Sequence, residues 1–239
     1  MQEQLINRID DVEPVICPFP HFVIENFFPA DVYDQITEFM PPDFLFEKSD
    51  PRKTTNKQSL MYRKRMSLDS EKLENLDTEQ KRIWSSVATA LGKSAFSDAV
   101  KNCFRQQLEK RYGTCDISTR ARLELIRDQE GYSIKPHSDA RHKAITLLCY
   151  LAKDNRQLDL GTSLFTPKKP GFTEETGRQL PFELFDEVLR VPYKPNTVLG
   201  FMKTENSFHG RYPIEALIGH RDWINCSIQH DGNGHQGNA

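Results

Sequence analysis

No stretch of this 239-residue chain approaches the roughly 18 consecutive apolar residues that a bilayer-spanning helix needs. Its start, Met-Gln-Glu-Gln, lacks the basic-then-apolar order of a secretory signal, so the expectation is a soluble, cytoplasmic protein with no membrane partner. Cysteine is sparse and forms no C-x-x-C. The five residues at 17, 103, 115, 149 and 226 are also odd in number, which argues against a disulfide framework or a structural zinc ribbon. Neither sign of charge dominates, with 32 Lys and Arg against 34 Asp and Glu, and that balance argues against nucleic acid as a partner. There is no internal repeat, no G-x-S-x-G nucleophile elbow and no G-x-x-x-x-G-K-[ST] phosphate loop.

What the chain does have is bulky core material: 15 Phe, 7 Tyr and 2 Trp, which disordered chains lack. A chain of this length buries on the order of 70% of its unfolded surface and needs no staples. Charge is uneven along it. Residues 1–50 carry eleven acids against Arg8 and Lys48, whereas 51–65 carry Arg52, Lys53, Lys57, Arg63, Lys64 and Arg65 with no acid. This basic stretch reads as a solvated loop or as a lid over an anionic substrate.

Pro20 to Phe28 reads as a strand, and Pro29 as the first residue of a helix that runs to Met40 before Pro41-Pro42 stops it. Asp77 and Gln80 resemble a capping box ahead of Ile83, Val87 and Leu91, with Gly92 as the stop. A second helix is expected from Phe96 to Arg111, ending near Gly113. After residue 118 the period becomes two. Arg120 to Asp128 alternates Ala121, Leu123 and Leu125 against Arg122, Glu124 and Ile126, the pattern of a strand with one face buried.

Residues 143–152, 187–193, 197–203 and 222–230 are further strands, with a tight reversal at Lys194-Pro195-Asn196-Thr197. Residues 153–186 read as an elaborated loop around a short strand, Ser163 to Thr166, and as a second candidate lid. The fold class is therefore α+β with a mainly β core: one domain over 1–230, with strand and helical support over 1–118, a sandwich or barrel over 119–230, and a frayed tail over 231–239.

The chemistry concentrates in the β half. His137 and Asp139 form H-x-D, and in an extended segment residues two apart point the same way. His209, arriving from another strand, can close the triangular face of two imidazoles and one carboxylate that is typical of non-haem Fe(II) oxygenases. Arg221 opens the last strand twelve residues later, where a planar guanidinium can hold a remote carboxylate.

The order H-x-D, then His, then Arg resembles the 2-oxoglutarate and Fe(II) dependent dioxygenases, in particular the prolyl 4-hydroxylase-like group, over about residues 119–230. Pro20 to Met40 resembles the strand and helix that often precede that core. The resemblance implies a double-stranded β-helix, or jelly roll, flanked by N-terminal helices. It implies Fe(II) held by His137, Asp139 and His209, and 2-oxoglutarate as co-substrate anchored by Arg221. It further implies O₂ as oxidant, and hydroxylation of an unactivated C–H bond with release of succinate and CO₂. Asp139 occupies the position that halogenating members give to a small residue, which favours hydroxylation.

Around these residues, Asn225 shares a face with Arg221 by period two and is a candidate pocket residue; Tyr132 is a candidate co-substrate contact. Glu124 reads either as a polar pocket residue or as part of an exposed strand face, and Thr146 and Tyr150 share one face of their strand. His21, His220, His230 and His235 read as surface histidines, and His142 invites a zinc reading that would leave Arg221 without a role. The expected substrate is a small molecule or amino acid. The alternatives are a peptidyl proline, a non-catalytic iron-binding sensor module, and a zinc-dependent hydrolase using the same ligands.

Overall fold

The computed structural model describes residues 1–50 and 57–230; part of the expected basic loop and the whole expected tail lie outside these. Leu5 and Ile9, one turn apart, are the buried stripe of α1 (Gln2–Asp10), a helix the sequence pattern does not reveal because polar residues outnumber its apolar ones. β1 (His21–Glu25) follows, and Pro29 caps α2 (Ala30–Glu38) with extended backbone and is not itself its first residue. After β2 (Glu47–Lys48), the described part of the basic stretch is not a loop. It folds as α3 (Lys57–Tyr62) and β3 (Arg63–Ser67), because a sheet neighbour satisfies its backbone.

α4 (Ser70–Leu73) leads to Asp77, whose carboxylate accepts from the Gln80 amide at 2.9 Å and caps α5 (Thr78–Gly92). The expected helix over 96–111 is two, α6 (Ser94–Cys103) and α7 (Arg105–Tyr112). They part at Phe104, which leaves helical geometry and stacks its buried ring on Phe22 at 5.5 Å. Gly113, at φ 75°, ends α7 in the left-handed conformation that favours glycine.

The remaining strands are β4 (Thr119–Asp128), β5 (Ile134–His137), β6 (Lys143–Tyr150), β7 (Thr162–Pro167), β8 (Phe185–Val191), β9 (Thr197–Met202), β10 (His209–Arg211) and β11 (Arg221–His230). They form two antiparallel sheets, a seven-stranded one in the order β1-β9-β6-β11-β4-β3-β2 and a four-stranded one in the order β5-β10-β7-β8. β5 and β10, of four and three residues, are too short to announce themselves by alternation. At the reversal before β9, Asn196 has φ 52°, and its side chain clamps the Phe28 backbone through two 2.8 Å bonds.

The larger sheet lies between the helices and the smaller sheet. Its outer face (Leu123, Leu125, Ile145, Leu147, Val198, Ile224, Cys226) packs with Ile83, Trp84, Val87, Phe96 and Val100 of the helices. Its inner face (Ile126, Leu148, Tyr150, Leu199, Phe201, Trp223) packs with Leu164 and Val191 of the smaller sheet. β4 is thus buried on both faces from Leu123 onward, not on one. His21 is likewise buried, its Nδ1 against the Phe19 carbonyl at 2.8 Å, and is not a surface histidine. All five cysteines are free, and no described helix is long and apolar enough to cross a membrane.

Candidate metal centre and its pocket

Antiparallel register dictates what meets on the inner face. Opposite Arg221, Trp223, Asn225 and Ser227 on β11 stand Asp128, Ile126, Glu124 and Arg122 on β4. On the other side, Tyr150, Leu148 and Thr146 of β6 stand opposite Trp223, Asn225 and Ser227. Rows two residues apart are separated by about 7 Å along the strands. All of these residues except Asp128 and Tyr150, together with the smaller sheet, line one cavity of about 450 Å³.

At one end of it β10 pairs with β5 so that His209 stands opposite His137, their ring centroids 4.4 Å apart. Gly210 permits this, since a Cβ there would sit 2.7 Å from the Ile134 carbonyl oxygen. Asp139 follows β5 directly, and one ligand atom from each of His137, Asp139 and His209 lies within 4.8 Å of the others. The Nδ1 atoms face the carbonyls of Lys135 and Ser207, at 2.9 and 3.0 Å. A carbonyl can only accept, so each ring carries its proton on Nδ1 and keeps the Nε2 lone pair free.

Burial and the neighbouring His209 pull the His137 imidazole down to about 3, and burial lowers His209, so both rings are neutral at pH 7. Burial works against an ionised Asp139, but the neighbouring groups, led by Lys143 with its Nζ at 2.6 Å, together outweigh it and hold the carboxyl well below the usual range. Thr146 Oγ1 donates to the other oxygen at 2.6 Å. Two neutral imidazole nitrogens and one carboxylate oxygen converging in this way suit a divalent transition metal such as Fe(II).

The other end of the cavity is cationic. Arg221 is 3% exposed. It is flanked by the rings of Tyr193, Tyr150 and Trp223 at 5.3, 5.6 and 5.7 Å. Its Nε donates to the Leu160 carbonyl at 2.6 Å and its Nη1 to Asp128 at 2.7 Å. Asp128, with no exposed surface, also accepts both branches of Arg63 at 2.6 and 3.0 Å and the Trp223 indole at 3.1 Å. Burial opposes its charge, yet Arg63 and Arg221 hold its carboxyl below the ordinary range.

Arg63 lies over the Tyr132 ring at 4.0 Å; Tyr132 is fully buried and lines the cavity. Arg211, also lining, is pulled down to about 10 by burial and by Arg221. Sequence reasoning missed Arg63, Asp128, Lys143 and Arg211. Period two held a signal for two of them: Asp128 follows Glu124 and Ile126 on one face, and Arg211 stands two residues after His209.

Asn225 lines the cavity, its amide reaching Glu124 at 3.5 Å. Glu124 is 7% exposed and faces the pocket, which excludes the exposed-face reading. Thr146 faces inward as well, with Tyr150 in the inner core. His142 borders the cavity but stands outside the cluster of three. The stretch over 153–186 is, as expected, a loop around a short strand, which is β7; β8 begins only at its end, at Phe185. Thr176, Gly177 and Gln179, between these strands, line the cavity. Their segment is pinned by the Leu180 amide on the Pro136 carbonyl at 2.9 Å, by Ser138 Oγ on the Glu174 carbonyl, and by Arg111–Glu175 at 2.6 Å.

No protein-family model matches the sequence, and no curated protein matches it. Among solved structures it is similar to a Trichoplax adhaerens prolyl hydroxylase in complex with a hypoxia inducible factor oxygen degradation domain peptide fragment, at 12% identity and TM-score 0.55 over 96% of this chain and 89% of that one. A Pseudomonas putida prolyl-4-hydroxylase matches at 12% identity and TM-score 0.55, over 95% of this chain and all of that one. An oxidoreductase of the 2OG-Fe(II) oxygenase family from Burkholderia pseudomallei matches at 12% and 0.52, over 100% and 95%. By its two antiparallel sheets and their helical support, the chain has the fold that prolyl hydroxylases share with 2OG-Fe(II) oxygenases.

Proposed function

We propose that this protein is a 2-oxoglutarate and Fe(II) dependent dioxygenase that hydroxylates an unactivated C–H bond of a small molecule or amino acid, releasing succinate and CO₂. In this reading residues 1–230 are one dioxygenase domain. The two sheets are a double-stranded β-helix over 119–230, and the N-terminal part adds strands and helices. The observation that carries the reading is the convergence of His137, Asp139 and His209 at one end of a cavity whose other end is lined by buried arginines. Iron, when bound, supplies the oxidising chemistry with O₂ and 2-oxoglutarate.

The chain's own residues do the rest. His137 and His209 present fixed Nε2 lone pairs, and Lys143 and Thr146 keep Asp139 ionised and oriented. Arg221 binds the far carboxylate of the co-substrate, with Tyr132 beside it, while Leu148, Ile126 and Trp223 keep the cavity between the two ends dry. Glu124, Asn225 and Arg122, beside that axis, offer a small polar substrate both signs of charge. The pinned segment around Thr176 and the limited volume favour such a substrate over an extended peptide.

The test is substrate-stimulated succinate formation across an amino-acid and peptide library, with Fe(II) and 2-oxoglutarate supplied. Stimulation by free amino acids or other small polar molecules is expected, abolished by His137→Ala and by Asp139→Ala. Stimulation by prolyl peptides alone moves the substrate to the peptide class. Hydrolytic turnover without decarboxylation overturns the assignment in favour of a zinc hydrolase, and tight iron binding with no succinate from any library member favours the sensor module.

A further inference from the structure

The arginine end of the cavity carries more positive charge than its own side chains neutralise. Arg63, Arg211 and Arg221 all line it, and Asp128 is the buried carboxylate among them. Asp128 is already engaged by Arg63, Arg221 and Trp223. Arg211 makes no hydrogen bond to it, and the charges of Asp159 and Asp128 act on Arg211 only from further off. It is 4% exposed, its Nη1 donates to the backbone carbonyl of Asp159 at 3.1 Å, and its buried Nε has no hydrogen-bond partner among the described residues. A desolvated guanidinium that hydrogen-bonds no described carboxylate, one donor left open, costs free energy that an anionic ligand recovers. By contrast the Nε and Nη1 of Arg221 are both occupied, and Asp128 offsets its charge.

We propose that Arg211 is a co-substrate-binding residue: with Arg221 it grips the far carboxylate of 2-oxoglutarate, and its unshared charge sets the preference for a dicarboxylic over a monocarboxylic 2-oxo acid. This rests on the assignment of the cavity as a 2-oxoglutarate site. Arg211 reaches the ligand from β10, on the opposite sheet from Arg221, so the two forks approach one carboxylate from two walls.

The test is binding, read without turnover. Calorimetric titration of 2-oxoglutarate and of pyruvate, which lacks the far carboxylate, is carried out on the Mn(II)-loaded protein without O₂. Wild type binds 2-oxoglutarate more tightly than pyruvate. Arg211→Gln weakens 2-oxoglutarate about 10- to 100-fold, the loss expected for hydrogen bonds to a charged group. It leaves pyruvate and Mn(II) affinity within about twofold. In turnover the same variant raises KM for 2-oxoglutarate while sparing kcat at saturation.

Equal 2-oxoglutarate affinity in wild type and Arg211→Gln overturns the proposal and leaves the 2-oxoglutarate assignment intact; a wild type that does not prefer 2-oxoglutarate to pyruvate overturns that assignment and the proposal with it. If Arg211→Gln fails to fold, Arg211→Lys decides. It keeps the charge but loses the fork, so a several-fold weakening confined to 2-oxoglutarate supports the proposal, and none overturns it.

Discussion

Two carboxylates, Asp128 at the end of β4 and Asp139 just past β5, are both buried and both held ionised below the usual range, yet they differ in how much of their acceptor capacity is spent. Asp128 takes two bonds from Arg63, one from Arg221 and one from Trp223. A carboxylate offers about four lone-pair sites, so it is full. Asp139 takes one bond from Lys143 and one from Thr146, which leaves about half its capacity facing the two imidazoles. Both are buried and both are shifted to the acid side; partner count is what separates a joint between strands from a group able to give electrons to an ion.

The largest expected effect tests the full carboxylate. Asp128→Asn leaves Arg63 and Arg221 buried without their anion, and breaking a buried pair costs about 3–5 kcal/mol. For a domain of this size that lowers Tm by roughly 6–20 °C in a thermal melt. The sign with pH follows from its lowered folded pKa. The stabilisation is fully present above the unfolded carboxyl value of about 4, and is lost as pH falls through the lower folded value. The gap between wild type and variant is therefore constant from pH 7 to about 5 and narrows only in more acidic solution. A variant as stable as wild type at pH 7 would mean that Asp128 is no joint at all.

The same pair shows how much the sequence discloses. Asp139 is legible because H-x-D fixes a short-range relation, two side chains on one side of extended backbone, and needs only a distant His to complete it. Asp128 is not, because three of its four bonds come from residues 63 and 221, which only sheet register brings beside it. Arg63 misled for a further reason: a run of basic residues with no acid looks solvated until β3 is seen to pair with β4. The long strands and the cap at Asp77 were readable from periodicity and local hydrogen-bond chemistry. The split at Phe104 and the burial of β4 on both faces depend on tertiary packing, which no local pattern encodes.

The half-filled carboxylate is sharpened by smaller changes at its two donors, which act in opposite directions. Thr146→Val removes the hydroxyl from one Asp139 oxygen while keeping the shape. Loss of such an orienting partner costs about 10–100-fold in metal affinity, measurable as Mn(II) Kd, with little change in Tm.

Lys143→Met removes a cation that competes with the metal for the other oxygen, so at neutral pH Mn(II) binds more tightly. The gain is up to roughly fivefold, since a partly exposed pair is worth at most about 1 kcal/mol. In acid the sign reverses. With Lys143 gone, burial loses its chief opponent and the Asp139 carboxyl rises, so the proton displaces the metal at a higher pH than in wild type. Mn(II) titrations between pH 4 and 7 should therefore cross, the variant binding better at the top of the range and worse at the bottom. Parallel curves would show that Lys143 is a bystander and that something else keeps Asp139 charged.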